Sequence, residues 1–370
     1  MSDVNEESMA DRLLKEMVKQ RASDLHIKAG SPPICRVDGS LVRMTEEKLY
    51  PDDTMELAHQ VCPGHLLRGL DEPGALDFAY SLRGVARFRV SCFHQRGAVS
   101  LVFRVIKFDI PPFEELNLPG VVKEISESER GIVLVTGVTG SGKSTTLASM
   151  IDHINSTRSV HVVTIEDPIE YLHRDRKSII NQVELGVDTL TLEDAVKRVL
   201  RQDPDVILIG EMRDKETIRA AVVAAETGHL VFSTLHTADA IQTVDRILKY
   251  FDSDGQDLIR MQLSLNLRAV ISQRLLPKRG GGRIPAVEIL CATPIVQKLI
   301  FEGRTRDLKQ AIQNAEAGMQ TFNQSLVALH QAGMVTFEDA LAQSDNQSAF
   351  RRIVSGGYSD GDRQSIVGAF

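Results

Sequence analysis

The eight residues with the clearest chemistry run Gly137-Val-Thr-Gly-Ser-Gly-Lys-Ser144. Their spacing, G-x-x-x-x-G-K-S, is that of the phosphate-binding loop of nucleoside triphosphatases. Three glycines allow backbone angles and a close approach that a Cβ would block, so backbone N–H groups can face phosphate oxygens. Lys143 supplies a charge for the β- and γ-phosphates, and the Ser144 hydroxyl can ligate Mg²⁺. The predicted residues for binding ATP are Gly137, Val138, Thr139, Gly140, Ser141, Gly142, Lys143, Ser144 and Thr145.

Carboxylates follow two other apolar runs. Val206-Ile-Leu-Ile209 leads into Gly210-Glu211, and Val162-Val-Thr-Ile165 leads into Glu166-Asp167. A carboxylate at the tip of a strand can hold Mg²⁺ or its water shell, which predicts Glu211 as a metal-side residue beside Ser144. Glu166 leaves its strand first, so we predict that it orients or deprotonates the attacking water. The alternative interpretation places both carboxylates in ordinary turns.

Histidines and arginines are the remaining candidates for catalysis. His229 and His236 flank the run from Leu230 to Thr234, and either could donate to a γ-phosphate or serve structure alone. No arginine finger is evident beside the loop in this half of the chain. Four arginines nearer the N-terminus could fill that role: Arg87, Arg89, Arg96 and Arg104. Arginines on strands need an anion, and a nucleotide or local carboxylates such as Asp77 are equally compatible partners.

The elements around the loop predict the architecture of the C-terminal half. Ile132 to Val135 has the β-branched composition of a buried strand, and Ser144 to Ile151 reads as a helix. Further strands are predicted at 160–165, 206–209 and 230–233, alternating with helices. This alternation predicts a mostly parallel sheet with ligands at the carboxyl ends of its strands. Past Gln242 the pattern is mainly helical, with an edge strand at 284–289.

The N-terminal half predicts a small α/β domain around an antiparallel sheet, over residues 1–108. Asp38-Gly39 between two short strand-like runs is a strong hairpin signal. The predicted helices cover 6–19 and 51–61, and the other strands cover 23–27, 75–81, 85–94 and 98–106. Paired prolines mark a linker at 109–117. The ATPase domain is then expected over 118–354 and a disordered tail over 355–370.

Composition limits the classes of partner. The chain has 370 residues, a net charge of −7 and a pI of about 5.8, so bulk electrostatics give no reason to expect nucleic acid. No apolar run reaches membrane-spanning length, and the acidic N-terminus lacks a signal-peptide core. Four scattered cysteines predict a reducing cytoplasm with neither a disulfide framework nor a cysteine-based zinc site.

The motifs together resemble those of secretion ATPases. Gly137–Ser144, Thr164–Tyr171, Arg201–Asp214 and Glu226–Thr237 are similar to the Walker A, Asp box, Walker B and His box. More narrowly, the chain resembles the type IV pilus retraction ATPases, the PilT and PilU family. The resemblance implies a PAS-like N-terminal domain and a RecA-like P-loop ATPase domain with a helical C-terminal region. It also implies Glu166 as the catalytic base, Glu211 on the magnesium side, and arginines of the first domain near the phosphates.

What the resemblance implies for function is an ATP-hydrolysing hexameric motor for pilus retraction and twitching motility. Its expected partners are identical subunits and an inner-membrane platform protein at the inner face of the cytoplasmic membrane, with a paralogous retraction ATPase as a further partner. Pro294–Ile300 departs from the A-I-R-N-L-I helix of PilT-type members, and Gly318–Leu326 is closer to PilU. Two alternatives stay open: a general secretion or DNA-uptake ATPase, and an accessory nucleotide-binding subunit with weak turnover in a mixed motor.

Overall fold

The computed structural model describes residues 8–70, 72, 74–106 and 109–356, which form two compact units. The first unit is Met1–Asp109 with Pro168–Leu172, and the second is Ile110–Asp167 with His173–Phe370. The sequence placed Pro168–Leu172 in the second domain, since a five-residue segment between strands carries no signal of where it packs. The first helix was expected to start at residue 6, which lies outside the described residues. Most of the tail expected at 355–370 also lies outside them.

The described residues of the first unit form a six-stranded antiparallel sheet with two α-helices and a short 3-10 helix at Leu67–Leu70. Its strands follow the order β3-β2-β1-β6-β5-β4. Its elements are α1 (Met9–Lys19), β1 (Asp24–Lys28), β2 (Ile34–Val37), β3 (Ser40–Arg43), α2 (Pro51–Val61), β4 (Ala75–Leu82), β5 (Ala86–Gln95) and β6 (Ala98–Ile106). The predicted antiparallel sheet, both helices and the hairpin are thereby confirmed.

Alternating side chains divide this sheet into a buried and an exposed face. On β5, Phe88 and Val90 are fully buried, whereas Arg89 between them is exposed. Successive side chains of a strand point to opposite faces, so a strand that is buried on one face alternates buried and exposed residues. The β2–β3 turn is set by its own two residues. Asp38 and Gly39 have φ of 48° and 83°, the positive values that a tight hairpin turn needs.

The second unit is built on a seven-stranded sheet in the order β13-β12-β7-β11-β10-β8-β9. Its strands are β7 (Gly131–Thr136), β8 (His161–Glu166), β9 (Ile179–Glu184), β10 (Val206–Ile209), β11 (Leu230–Leu235), β12 (Leu267–Pro277) and β13 (Arg283–Cys291). Only the β12–β13 pair is antiparallel among the strand pairs of this sheet in the described part of the chain. The mostly parallel sheet is therefore confirmed.

Helices cover both faces of this sheet. They are α3 (Phe113–Leu116), α4 (Gly120–Ser126), α5 (Lys143–Thr157), α6 (Leu192–Val199), α7 (Lys215–Glu226), α8 (Ala240–Lys249), α9 (Ser253–Asn266), α10 (Pro294–Phe301), α11 (Leu308–Gln313), α12 (Phe322–Gln331), α13 (Phe337–Gln343) and α14 (Gln347–Val354). Every residue of β7 and β10 is buried, as expected for central strands covered on both faces. None of the helices in the described ranges is long and apolar enough to span a membrane.

Two strands differ from the expectation. The eleven-residue β12 lies in the region predicted as mainly helical, and β9 was not predicted. Ser272 and Gln273 interrupt the apolar run of β12, and both are buried through hydrogen bonds to Thr136 and Thr146. Hydrogen bonds to residues so far away in the sequence cannot be predicted from the local spacing of apolar residues, so the strand β12 was missed. The strand predicted at 284–289 is the edge strand β13, and the predicted linker contains α3.

The topology places four strand ends at one edge. Leu134, Ser233, Ile209 and Ile165 occupy corresponding positions along β7, β11, β10 and β8. These strands are parallel, so the segments that follow them begin at the same edge of the sheet. The phosphate loop and both predicted carboxylates follow such strands.

Candidate nucleotide site

The loop after β7 has a backbone that requires glycine. Gly137 and Gly142 have φ of 141° and 97°. A Cβ on Gly137 would lie 2.5 Å from the backbone oxygen of Gln273 and 2.5 Å from Oγ of Ser141. A side chain at Gly137 would therefore displace the backbone of β12. The loop ends where Lys143 begins α5, so the helix N-terminus follows the loop directly.

Polar groups in this loop are arranged to receive an anion. The Lys143 ammonium is buried and donates to the backbone oxygens of Gly137 at 2.8 Å and Val138 at 3.2 Å. The buried Ser141 hydroxyl has no hydrogen-bond partner within the described ranges. A buried hydroxyl in a glycine cradle at a helix N-terminus fits a phosphate oxygen. Ser144 and Thr145 follow in the first turn of α5, both half-buried.

Glu166 is the last residue of β8, and two donors meet one of its oxygens. The Thr164 hydroxyl donates to Oε1 over 2.7 Å, and the Gln182 side-chain amide donates to the same atom over 3.2 Å. Glu166 is half-buried, so its carboxylate combines access with defined orientation. A base needs both to act on a water molecule.

Glu211 follows β10 and belongs to a charged cluster. Nε of Arg213 donates to Oε2 of Glu211 over 2.8 Å, and Nη1 of the same guanidinium donates to Asp167 over 3.2 Å. Nε2 of His236 lies 3.6 Å from Oε2 of Glu211. The hydrogen bond to Glu211 raises the pKa of the Arg213 guanidinium above its usual value. Residues from three different strand ends are thus brought together. Carboxylate and hydroxyl oxygens of the Glu211 and Ser144 type suit Mg²⁺.

The two histidines lie at opposite edges of the sheet. His236 follows the carboxyl end of β11 and contacts Glu211. His229 precedes β11, and its backbone oxygen accepts the N–H of Gly131, the first residue of β7. Six residues of strand therefore separate it from the edge that carries the loop, a distance of about 20 Å. His229 is therefore far from the loop of its own chain, and a contact with a γ-phosphate stays a prediction. Its ring contacts Thr227 and the Ala224 backbone, a structural role at the end of α7.

A cavity of about 830 Å³ opens beside the tip of the loop. Val138 and Thr139 line one side and His236 another, with residues of α8 completing the wall. It is large enough for a small molecule or part of one.

Three of the four predicted arginines of the first unit lie together near one end of the β5–β6 pair, and Arg96 lies in the turn at the other end. Arg89 and Arg104 occupy directly opposed positions on β5 and β6, and Arg87 is two residues from Arg89. Nε of Arg104 donates to the buried carboxylate of Asp24 over 2.8 Å, so its local carboxylate is Asp24 and not Asp77. Arg89 and Arg104 are exposed, as is Arg96, which has a φ of 53° in the β5–β6 turn.

Three residues of the site had not been predicted. Arg213 is the first, and it contacts Glu211 and Asp167. Thr164 and Gln182 contact Glu166 from β8 and from the unpredicted β9. The signal for Thr164 was present, because a residue two before a strand-end carboxylate shares its face. Arg213 and Gln182 required the fold.

Comparison with known proteins identifies the relatives of this chain. A family model described as Type II/IV secretion system protein matches residues 77–342. The type IV pilus ATPase PilU of Pseudomonas aeruginosa is 43% identical over 360 residues, 96% of this chain and 94% of that protein. The type IV pilus retraction ATPase PilT of the same organism is 45% identical over 329 residues, 89% and 96% of the two chains. A crystal structure of the pilus retraction motor PilT with bound ADP is similar with a TM-score of 0.87 at 46% identity, covering 94% of this chain and 100% of that one.

Proposed function

We propose that this chain, which belongs to the Type II/IV secretion system proteins and within them to the type IV pilus ATPases PilT and PilU, hydrolyses ATP to power pilus retraction. One observation carries the proposal. A glycine cradle after β7 shares its sheet edge with Glu166 at the end of β8 and Glu211 after β10. Phosphate binding, water activation and metal binding are the functions that hydrolysis of a γ-phosphate requires. All three can be assigned to residues at this edge.

Each step of the proposed reaction falls to a named group. Backbone N–H groups of the loop, the Ser141 hydroxyl and Lys143 bind the phosphates. A carboxylate oxygen of Glu166 takes the proton of the attacking water as the oxygen–phosphorus bond forms, and the bond from the γ-phosphorus to the bridging oxygen breaks to release ADP. Ser144 and Glu211 would hold Mg²⁺, which supplies charge neutralisation of the β- and γ-phosphates. His236 lies beside Glu211 and is the histidine of the pair that can respond to the phosphates.

Arginines of the first unit supply further positive charge in this proposal. Arg36 and Arg104 flank the single carboxylate of Asp24, and Arg89 extends the same row. The row therefore keeps an excess of positive charge on an exposed sheet face. We propose that Arg87, Arg89, Arg96 or Arg104 reaches a nucleotide of its own or a neighbouring chain, and that nucleotide state sets the angle between the units. Unchanged turnover in both Arg89→Ala and Arg104→Ala would contradict this.

The working assembly is proposed to be a homo-hexamer at the inner face of the cytoplasmic membrane. A ring of six chains would pass the unit movement to an inner-membrane platform protein. A paralogous retraction ATPase is the further proposed partner.

A second candidate is an accessory subunit with weak turnover of its own. The PilU relationship extends over 96% of this chain, and Pro294–Ile300 on α10 departs from the helix of PilT-type members. Steady-state hydrolysis by the purified chain, alone and mixed with a PilT-type ATPase, separates the two candidates. A rate that rises only in the mixture would favour the accessory role.

Pilus retraction in a deletion strain tests the proposed function. Complementation with the wild-type chain should restore retraction and twitching, whereas Lys143→Ala should not. Lys197→Ala is the matched control, because Lys197 is an exposed lysine of α6 paired with Glu193. Full complementation by Lys143→Ala would contradict an ATP-driven role.

A further inference from the structure

Glu166 lies in a three-residue arrangement that spans the last two strands of the sheet. In the parallel pair β8–β9, Thr164 is in register with Gln182 and Glu166 with Glu184. Thr164 and Glu166 are two residues apart, so their side chains leave the same face of β8. Register places the Gln182 side chain on that face as well. The arrangement is thus fixed by strand pairing and not by a loop.

Both donors in this arrangement address the same carboxylate oxygen. The Thr164 hydroxyl is 2.7 Å from Oε1 of Glu166, and Nε2 of Gln182 is 3.2 Å from it. Thr164 is fully buried, whereas Gln182 and Glu166 are half-buried. Hydrogen bonds donated to a carboxylate stabilise its ionised form and restrict its rotamers.

The orientation of the Gln182 amide follows from its second contact. Oε1 of Gln182 accepts the backbone N–H of His173 over 2.9 Å. A backbone N–H can only donate, so the amide oxygen must face His173 and the amide nitrogen must face Glu166. Chemistry therefore settles which end of the amide meets the carboxylate. Gln182 acts as a fixed donor between a backbone group and Glu166.

We infer that Gln182 is a positioning residue for Glu166, with Thr164 as the second donor. This inference rests on the proposed role of Glu166 as the base for ATP hydrolysis. A base must be held within a small range of angles to take a proton in the transition state. Loss of either donor lets the carboxylate rotate out of line. The rate of the chemical step then falls while the loop still binds nucleotide.

Isosteric substitutions on β8 test the hydroxyl donor. Thr164→Val removes the hydroxyl and keeps shape and strand preference, and Thr164→Ser keeps the hydroxyl. We expect kcat to fall about tenfold in Thr164→Val, with KM for ATP and the Kd for ADP within about twofold of wild type. Thr164→Ser should recover most of the rate. A role in structure alone would instead lower the Tm and weaken ADP binding along with kcat, which would overturn the inference.

Two substitutions on β9 test the amide donor in different ways. Gln182→Met removes the hydrogen bonds to His173 and Glu166 without adding charge, and Gln182→Glu keeps an acceptor for His173 while removing the donor to Glu166. Both should lower kcat about tenfold at unchanged ADP affinity. Asn181→Ala is the matched control, since Asn181 points to the opposite face of β9 and is exposed. Its kcat should equal that of wild type.

The variant Glu166→Gln distinguishes a failure of the positioning role from a failure of the proposed base. Glu166→Gln should lower kcat about a thousandfold while ADP binds normally. If Glu166→Gln is inactive but Gln182→Met and Gln182→Glu keep kcat within twofold of wild type, the positioning role is wrong and the base assignment stands. If Glu166→Gln hydrolyses ATP at the wild-type rate, the base assignment fails and the positioning role fails with it.

Discussion

Glu166 ends β8 and Glu211 follows the neighbouring strand β10, and the donors described for the two carboxylates differ in charge. The contacts from Thr164 and Gln182 to Glu166 come from neutral groups. Glu211 instead accepts a hydrogen bond from the Arg213 guanidinium, with His236 nearby. Neutral donors orient a carboxylate without neutralising it, whereas a guanidinium compensates its charge.

This difference suits the two proposed roles. A base must keep its direction, and the fixed neutral donors Thr164 and Gln182 help to set that direction. A carboxylate that binds Mg²⁺ must be able to release the positively charged side chain that it contacts when the metal ion is absent. Arg213 is 58% exposed, so it can leave Glu211 for solvent when a metal ion takes its place. The following predictions test this contrast, from the largest expected effect to the smallest.

The largest effect is expected from removing the base. Glu166→Gln keeps the volume of the side chain but cannot accept a proton at neutral pH, so kcat should fall about a thousandfold. The Kd for ATP should stay within about threefold of wild type, because the loop is unchanged. Single-turnover phosphate release and calorimetric titration measure the two quantities. Glu193→Gln on α6 is the control, and a Glu166→Gln rate above a tenth of wild type would contradict the assignment.

A third carboxylate, that of Glu288, differs from the other two because it is buried. Glu288 on β13 is buried and accepts the N–H of Ala240, the first residue of α8, over 2.9 Å. Burial raises the pKa of Glu288 to about 7, above its ordinary value of 4.5. A raised pKa in the folded state means that stability is fully present below pH 4.5 and is lost as pH rises through 7.

Glu288→Gln removes this titration and keeps an acceptor for Ala240. As pH rises from 4.5 to 8, the unfolding free energy of the variant minus that of wild type should increase by about 3 kcal/mol. Urea denaturation at several pH values measures it. Glu288→Leu, which also lacks the acceptor, serves as the comparison and should be less stable than Glu288→Gln at every pH. A variant-to-wild-type difference that is constant with pH would show that Glu288 does not titrate in this range.

The smallest effect is expected from Arg213. Arg213→Ala leaves Glu211 without its guanidinium partner, so Mg²⁺ should bind more readily. Exposed ion pairs contribute less than about 1 kcal/mol, so the half-saturating Mg²⁺ concentration should fall about threefold. Arg213→Lys keeps the charge and should stay close to wild type. Hydrolysis rates against free Mg²⁺ measure the shift, and a higher Mg²⁺ requirement in Arg213→Ala would contradict exchange between the two cations.

The sequence predicted the parts of this site that depend on local pattern. The loop spacing, the apolar strands and the carboxylates after them are all contiguous signals, and β7, β8 and β10 lie where they were expected. Strand–helix alternation also predicted the parallel sheet. The shared edge of loop and carboxylates follows directly from that alternation.

What the sequence could not provide depends on pairing between distant segments. The strand β12 carries Ser272 and Gln273 at its centre, and their partners Thr136 and Thr146 lie more than a hundred residues away. Gln182 became significant only once β9 was found beside β8. The order of the sequence placed His229 before β11 and His236 after it, but only the parallel sheet shows that the loop shares the edge of His236. Arg213 contacts Asp167 across two strand ends, which no local spacing could indicate.

Magnesium dependence of phosphate release in a single turnover tests the division of roles between Glu211 and Glu166 most directly. Wild type, Glu211→Gln and Glu166→Gln are mixed with ATP over a wide range of free Mg²⁺. Raising Mg²⁺ should restore most of the rate in Glu211→Gln, which retains an oxygen ligand of lower affinity, and should restore none in Glu166→Gln. Rescue of Glu166→Gln by Mg²⁺, or identical curves for the two variants, would contradict the assignment of proton transfer to one carboxylate and metal binding to the other.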